Sequence, residues 1–286
     1  MKISGQSRVR GKDSVFEPDP LPPPKPAPLR QETTISAKQA ILEGVSPTII
    51  EVAELYGARL REVGGLAFKR LCPSAHNPRF YRENKDIDLM GRREDTKAIT
   101  KAMEVLAYKP RELFNKLNMG QRLIYYDMTS KFRIDIFLDE FAMCHKFDFR
   151  ESILANTYTL PITQLMMTKL QVVQKTDKEY KDLMLGLHDF DVTNGKSGIR
   201  GDEIANLAAK DWGVYTTFRK SLHELITHAQ SAGLSADSPV VPRAQKLIAM
   251  MDSHPKSMAW KLRAKIGEKA RWYELPDADS DEIFGP

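Results

Sequence analysis

The sequence predicts an α+β fold, and three observations carry that expectation. Strand-length apolar segments stand at Asp86-Ile87-Asp88-Leu89, Arg122 to Tyr126 and Lys131 to Leu138. A Gly64-Gly65 turn precedes a helix-like segment, Leu66 to Leu71. Beyond residue 145 the apolar residues recur at three- and four-residue spacing, as in Leu165, Met166 and Val173 or Leu183, Met184 and Leu187, so the remainder of the chain reads as mainly helical.

Residues 1–35 hold Pro18, Pro20, Pro22, Pro23, Pro24, Pro26 and Pro28, a density that admits neither helix nor sheet ladders, so a disordered or polyproline tail is expected there. A core over 36–145 and a helical region over 146–286 follow. Ser36 reads as the N-cap of a helix over Ala37 to Leu42. Ser46-Pro47 reads as cap and first position of a second helix, Thr48 to Tyr56. Cys72 to Arg82 is expected to be a loop, and Thr96 to Leu106 a helix. The two strands from Arg122 and Lys131 should form a hairpin across Asp127-Met128-Thr129-Ser130. Ile162 to Gln174 and Asp177 to Phe190 read as helices, Asp191 to Gly201 as a glycine-containing loop, and two or three further helices fit within 202–231, 242–251 and 256–273.

Composition narrows the class. A chain of 286 residues with 42% apolar and 28% charged residues has enough material for a sizeable core. No apolar run approaches a membrane span, and the first residues lack the apolar core of a secretion signal. Cys72 and Cys144 make no disulfide framework, so a reducing cytoplasm is the expected location. A net charge of +5 permits a polyanionic partner without requiring one.

The chemistry concentrates in three carboxylates. Strand alternation puts Asp86 and Asp88 on one face and Ile87 and Leu89 on the other. In Phe132-Arg133-Ile134-Asp135-Ile136-Phe137, Asp135 shares a face with Arg133 and Phe137. If the two strands are neighbours, three mutually repelling carboxylates converge, a set that suits divalent cations. The nearby glycine turn can bring backbone N–H groups to phosphate oxygens.

The ordered set, Gly64-Gly65, then Asp86-x-Asp88, then Asp135, resembles the nucleotidyltransferase superfamily of the polymerase-beta type, over roughly residues 47 to 190. It is closest to the minimal and abortive-infection-toxin-like branch, where an Arg-x-Ser/Thr-x-Asp-hydrophobic-Asp stretch is frequent. Here Arg82-Glu83-Asn84-Lys85-Asp86-Ile87-Asp88 keeps the arginine and replaces the hydroxyl residue with Asn84. Lys169, in Leu165-Met166-Met167-Thr168-Lys169-Leu170, and the Lys181-Asp182 pair fit the branch's later positions. The resemblance implies a mixed β-sheet core flanked by helices, with a first strand over Ala58 to Val63. It implies NTP as substrate, two Mg²⁺ ions on Asp86, Asp88 and Asp135, and nucleotide contacts from Gly64, Gly65, Arg82, Lys85, Lys169 and Asp182. Transfer of an NMP to a hydroxyl on RNA, a protein or a small molecule would follow, with an antitoxin as a further partner. The competing reading is a catalytically silent relative that binds RNA or protein.

Each residue has a plainer reading. Lys169 lies on an apolar helix face, so it reaches an anion or snorkels. Asp182 fits a cap-like or solvated role as well as a site role, and Arg82 and Lys85 fit solvated loop charges. Three motifs mislead. His223 and His228 are spaced i, i+5 rather than i, i+4 as a zincin needs, Gly195-Lys196-Ser197 lacks the first P-loop glycine because position 190 is Phe190, and Cys144-His145 lacks further zinc ligands. In Lys256 to Tyr273, Lys261, Lys265 and Lys269 form one stripe and Leu262 and Ile266 another. That pattern reads as a packed helix with a solvated basic face, or as a contact for RNA.

Overall fold

Ser36 caps the first helix as its sequence suggests: the hydroxyl accepts from the Gln39 N–H at 3.2 Å. The structure, a computed structural model, describes residues 35–275 except Met119, Asn156, Lys196, Ser235 and Ala236. The proline-rich stretch within 1–34 and the segment 276–286 therefore lie outside the described residues. Helix α1 (Ala37–Leu55) does not stop at Ser46-Pro47, and the expected break is absent. Pro47 has no N–H for the Glu43 carbonyl one turn back, and Arg70 Nη2 donates to that oxygen instead, at 3.1 Å. Burial of Leu42, Ile49, Ile50 and Ala53 along one side holds the helix through the proline.

Strand β1 (Leu60–Val63) is buried along its whole length although it carries Arg61 and Glu62. Both charges are matched. Arg61 Nε donates to the Ala155 carbonyl at 2.7 Å and Nη1 pairs with Glu54 at 3.2 Å, while Glu62 accepts Arg70 Nε and Nη2 at 2.7 and 2.8 Å. These pairs explain how a segment with a poor apolar pattern becomes a strand. Helix α2 (Gly64–Leu71) starts directly on the glycine turn, and a short 3₁₀ turn (Pro73–His76) opens the loop that follows.

Next come β2 (Ile87–Gly91), α3 (Thr96–Val105), β3 (Lys109–Pro110), α4 (Glu112–Leu117), β4 (Arg122–Asp127) and β5 (Phe132–Leu138). The sheet order is β1-β2-β5-β4-β3, with β2 and β5 parallel and every other neighbour antiparallel, so the sheet is mixed. A small hairpin of β6 (Glu140–Ala142) and β7 (Lys146–Asp148) leads to α5 (Arg150–Ile153). Helix α6 (Ile162–Leu170) ends four residues before the expected Gln174. Helix α7 (Asp177–Asp189) restarts behind a capping box of Thr176 and Glu179. The glycine-containing loop after it holds a two-residue parallel ladder, β8 (Val192–Thr193) with β9 (Ile199–Arg200). The helical C-terminal region is α8 (Gly201–Lys210), α9 (Trp212–Ser231), α10 (Val240–Ser253) and α11 (Met258–Ile266).

The sheet divides two apolar clusters. Ile87, Leu89, Ile134 and Ile136 face α1 and α3. Met90 and Phe137 face the other way, into a cluster shared with α2, α6, α7, α8, α9 and α10. Alternation then puts Asp88 and Asp135 on this second face, beneath the helices. Among the described residues no helix is long and apolar enough to cross a membrane.

Candidate active site

The parallel register of β2 and β5 sets Asp88 opposite Asp135, with Met90 opposite Phe137 on the same face. Asp86 lies in the bend just before β2 rather than inside the strand. It remains close enough for its charge to act on Asp88. Burial first, then the Asp135 and Asp86 charges, push the Asp88 carboxyl up to about 6, against the opposing pull of Lys169 and Arg133. Asp86 and Asp135 thus both act on Asp88.

The glycine turn closes on this pair. β1 pairs with β2 so that Val63 lies opposite Asp88, and Gly64 follows with φ of +70°, a region glycine enters freely. A Cβ on Gly64 would overlap Asp88 Oδ2, and one on Gly65 would overlap Arg82 Nη2 and Asn84 Nδ2. Gly64 is therefore required by both its φ and the close approach of Asp88, whereas a side chain at Gly65 would displace the ends of Arg82 and Asn84.

A second cluster sits on the helices. Asp182 on α7 is 3% exposed and accepts Arg82 Nε and Nη2 at 2.8 and 2.7 Å. Lys169 Nζ, from α6, lies 2.9 Å from the same carboxylate and 4.0 Å from Glu179. Lys169 and Arg82 outweigh the burial of the Asp182 carboxyl and hold it below the usual carboxylate range. Arg82, Lys169 and Asp182 thus form one network, whereas Lys85 is exposed in the loop before Asp86. Beside it, Lys69 on α2 has a side chain only 5% exposed, 3.7 Å from Glu43 and over the Tyr81 ring. Burial lowers its pKa.

Asp135 is fully buried and held by two arginines. Arg122 Nε donates to Oδ1 at 2.8 Å with Nη2 at 2.7 Å from the same oxygen, and Arg133 Nε stands 2.7 Å from Oδ2. The Arg122 partnership was hidden in the sequence only until the hairpin is registered. Pairing of Arg122 with Phe137 and Ile124 with Asp135 makes Arg122 the diagonal same-face neighbour of Asp135.

Asp86, Asp88 and Asp135 are hard oxygen donors of the kind Mg²⁺ takes, and the first and last are close enough to raise the Asp88 pKa, so in donor chemistry the residues fit it. The Asp135 oxygens are directed to guanidinium groups, and among the described residues no group of three His, Cys, Asp or Glu side chains is arranged to hold an ion.

The C-terminal helix behaves differently from a packed amphipathic one. Leu262 and Ile266 are exposed along with Lys261, Lys265 and Lys269. α11 is anchored instead by Trp260, whose Nε1 donates to the Ala208 carbonyl at 3.0 Å, and by Arg263 over the Trp212 ring. Comparison of the chain with models of known protein families gives no match, and comparison with the curated proteins gives none either.

Proposed function

We propose that this protein is a metal-dependent nucleotidyltransferase, moving an NMP from an NTP to a hydroxyl on an acceptor. The observation that supports the reading best is the in-register Asp88–Asp135 pair with a glycine turn closed against it. Asp86 and Asp88 would hold Mg²⁺, which when bound offsets phosphate charge and eases deprotonation of a hydroxyl. The chain's own residues then have definite tasks. Gly64 and Gly65 let the Asp88 carboxylate and the Arg82 and Asn84 side chains lie against the turn, whose backbone N–H groups would meet phosphate oxygens. Arg82 and Lys169, gathered on Asp182, would be the cations that meet the triphosphate. The acceptor oxygen forms a bond to the α-phosphorus as the bond to pyrophosphate breaks, and its proton passes to the Asp88–Asp135 pair.

One observation favours a second reading, a silent member of the same fold that binds RNA or protein: Asp135 sits between two arginines, as a structural ion pair would. Incubation with each labelled NTP, Mg²⁺ and either total RNA or cell lysate separates the two. Label on RNA, protein or a small molecule supports transfer and identifies the acceptor. No label on any fraction, with NTP binding intact, supports the silent fold.

A further inference from the structure

Helix α11 turns its apolar side to solvent. Met258, Leu262 and Ile266 recur every four residues, so they form one stripe, and they are 71%, 57% and 51% exposed. Lys261 and Lys265 stand three residues after Met258 and Leu262, beside that stripe, and Lys269 continues the row past the helix end. All three lysines are exposed, and among the described residues none of their side chains has an ion pair or hydrogen bond. The inner side of the helix is fixed. Trp260 holds the Ala208 carbonyl and meets the Tyr215 ring edge-on at 5.2 Å. Arg263 lies 4.5 Å from the Trp212 ring centre, with Nη2 on the Ala270 carbonyl at 2.9 Å. These contacts keep the helix from rolling its stripe inward.

A face that is apolar along one row and basic along the next fits an occupant that is both apolar and acidic. Residues 276–286, which lie outside the described residues, have that composition: Asp277, Asp279, Asp281 and Glu282, no Lys or Arg, then Ile283-Phe284. Residues 1–34 do not, with six Lys and Arg against four Asp and Glu. The reach also fits. Arg263 fixes Ala270 beside α11, and Leu275, five residues on, stands at most about 18 Å from it. The eleven residues 276–286 span up to about 36 Å when extended, against about 13 Å for the nine residues of α11. The segment is long enough to return over the helix.

We propose that the open face of α11 is the docking site of the chain's own acidic segment, residues 276–286. Its carboxylates lie among Lys261, Lys265 and Lys269, and Ile283 and Phe284 cover Leu262 and Ile266. The nucleotidyltransferase reading plays no part in this. Any polyanion that uses the same lysines has to displace the segment, which its tether holds at an effective concentration on the order of millimolar.

The test uses the full chain and a fluorescein-labelled synthetic peptide of residues 276–286, with binding read by fluorescence anisotropy. A tail variant combines Asp277→Asn, Asp279→Asn, Asp281→Asn, Glu282→Gln and Phe284→Ser, which leaves α11 open. The peptide is expected to bind this variant, and to bind the wild type on the order of tenfold more weakly because the tethered segment competes. Adding Lys261→Glu with Lys265→Glu, or Leu262→Asp, to the tail variant is expected to abolish peptide binding. These three positions are exposed, so the substitutions spare the fold. Equal affinity for wild type and tail variant, no binding to either, or binding that survives the α11 substitutions overturns the proposal. So does a wild-type dimer, seen by sedimentation, that the tail variant lacks, because the segment then covers a second copy. Polyuridylate binding through Lys261 and Lys265 that is equal in both chains, with no peptide binding, gives the face to nucleic acid instead.

Discussion

Asp88 and Asp135 face one another across a parallel strand pair, yet their surroundings treat them oppositely. Asp135 has two guanidinium partners, while Asp88 bears the repulsion and burial that lift its carboxyl to about 6. One carboxylate is held in place by the fold, and the other is strained by it.

Neutralising each should therefore have opposite effects on stability. A folded-state pKa raised above the unfolded value near 3.8 means that the native protein binds more protons through that window, so Asp88 destabilises above about 6 and relaxes as the pH falls toward 4. Asp88→Asn is expected to stabilise the protein at pH 7, by up to about 3 kcal/mol, since each pKa unit is worth about 1.4 kcal/mol. The gain should vanish near pH 4. Asp135→Asn removes the buried charge that Arg122 and Arg133 both contact and should destabilise by about 2–3 kcal/mol, less than a fully buried pair because Arg122 is partly solvated. Thermal or denaturant unfolding of both variants between pH 4 and 8 reads the signs, and destabilisation by Asp88→Asn at pH 7 would contradict the crowding.

Gly64 and Gly65 make a second contrast. Gly64→Ala meets both a positive φ and the Asp88 carboxylate, so no side-chain adjustment relieves both, and a loss of about 2 kcal/mol is expected. Gly65→Ala meets only the ends of Arg82 and Asn84, which can shift, but shifting Arg82 disturbs its grip on Asp182. Gly65→Ala should therefore spare the fold more than it spares NTP affinity. Comparing melting temperatures with NTP titrations for the two variants tests this, and equal stability losses would remove the distinction.

Much of this arrangement was legible in the residues. The β4–β5 hairpin, the Ser36 cap and the face shared by Asp135, Arg133 and Phe137 follow from alternation and capping chemistry. One failure has a physical cause. Pro47 reads as a helix start because the Arg70 donor that relieves Glu43 is remote in sequence. Asp182 stays open between a solvated and a site role in the sequence because its two cations come from a distant loop and a different helix. Arg122 was within reach, since counting the hairpin register places it beside Asp135.

Pro47 itself yields an expectation independent of function. Pro47→Ala restores an N–H to the helix interior and removes the ring from the Glu43 carbonyl, which retains Arg70. Stabilisation of about 1–3 kcal/mol should follow, below or near the usual helix penalty of proline because α1 already accommodates the ring. Unfolding in urea measures it, and a destabilised variant would mean that the proline-shaped backbone is itself required for packing.

The Arg82–Asp182–Lys169 network separates scaffold from ligand binding. Asp182→Asn leaves two cations facing each other in a poorly solvated site, with the charges of Glu179 and Asp88 a partial substitute, and should destabilise by about 3 kcal/mol. The depressed Asp182 pKa gives the matching pH dependence: its contribution is present above the unfolded value near 3.8 and is lost as the pH falls through the lower folded value. Lys169→Met, by contrast, leaves Asp182 doubly hydrogen-bonded to Arg82, so the fold should lose only about 1 kcal/mol. If Lys169 meets the triphosphate, that variant should nevertheless lose most of the rise in melting temperature that NTP and Mg²⁺ give the wild type, because ligand stabilisation follows affinity for the native state. Thermal unfolding of wild type and Lys169→Met with and without NTP decides it: an undiminished rise in Lys169→Met assigns the lysine to holding Asp182 and leaves the triphosphate to Arg82 and the glycine turn.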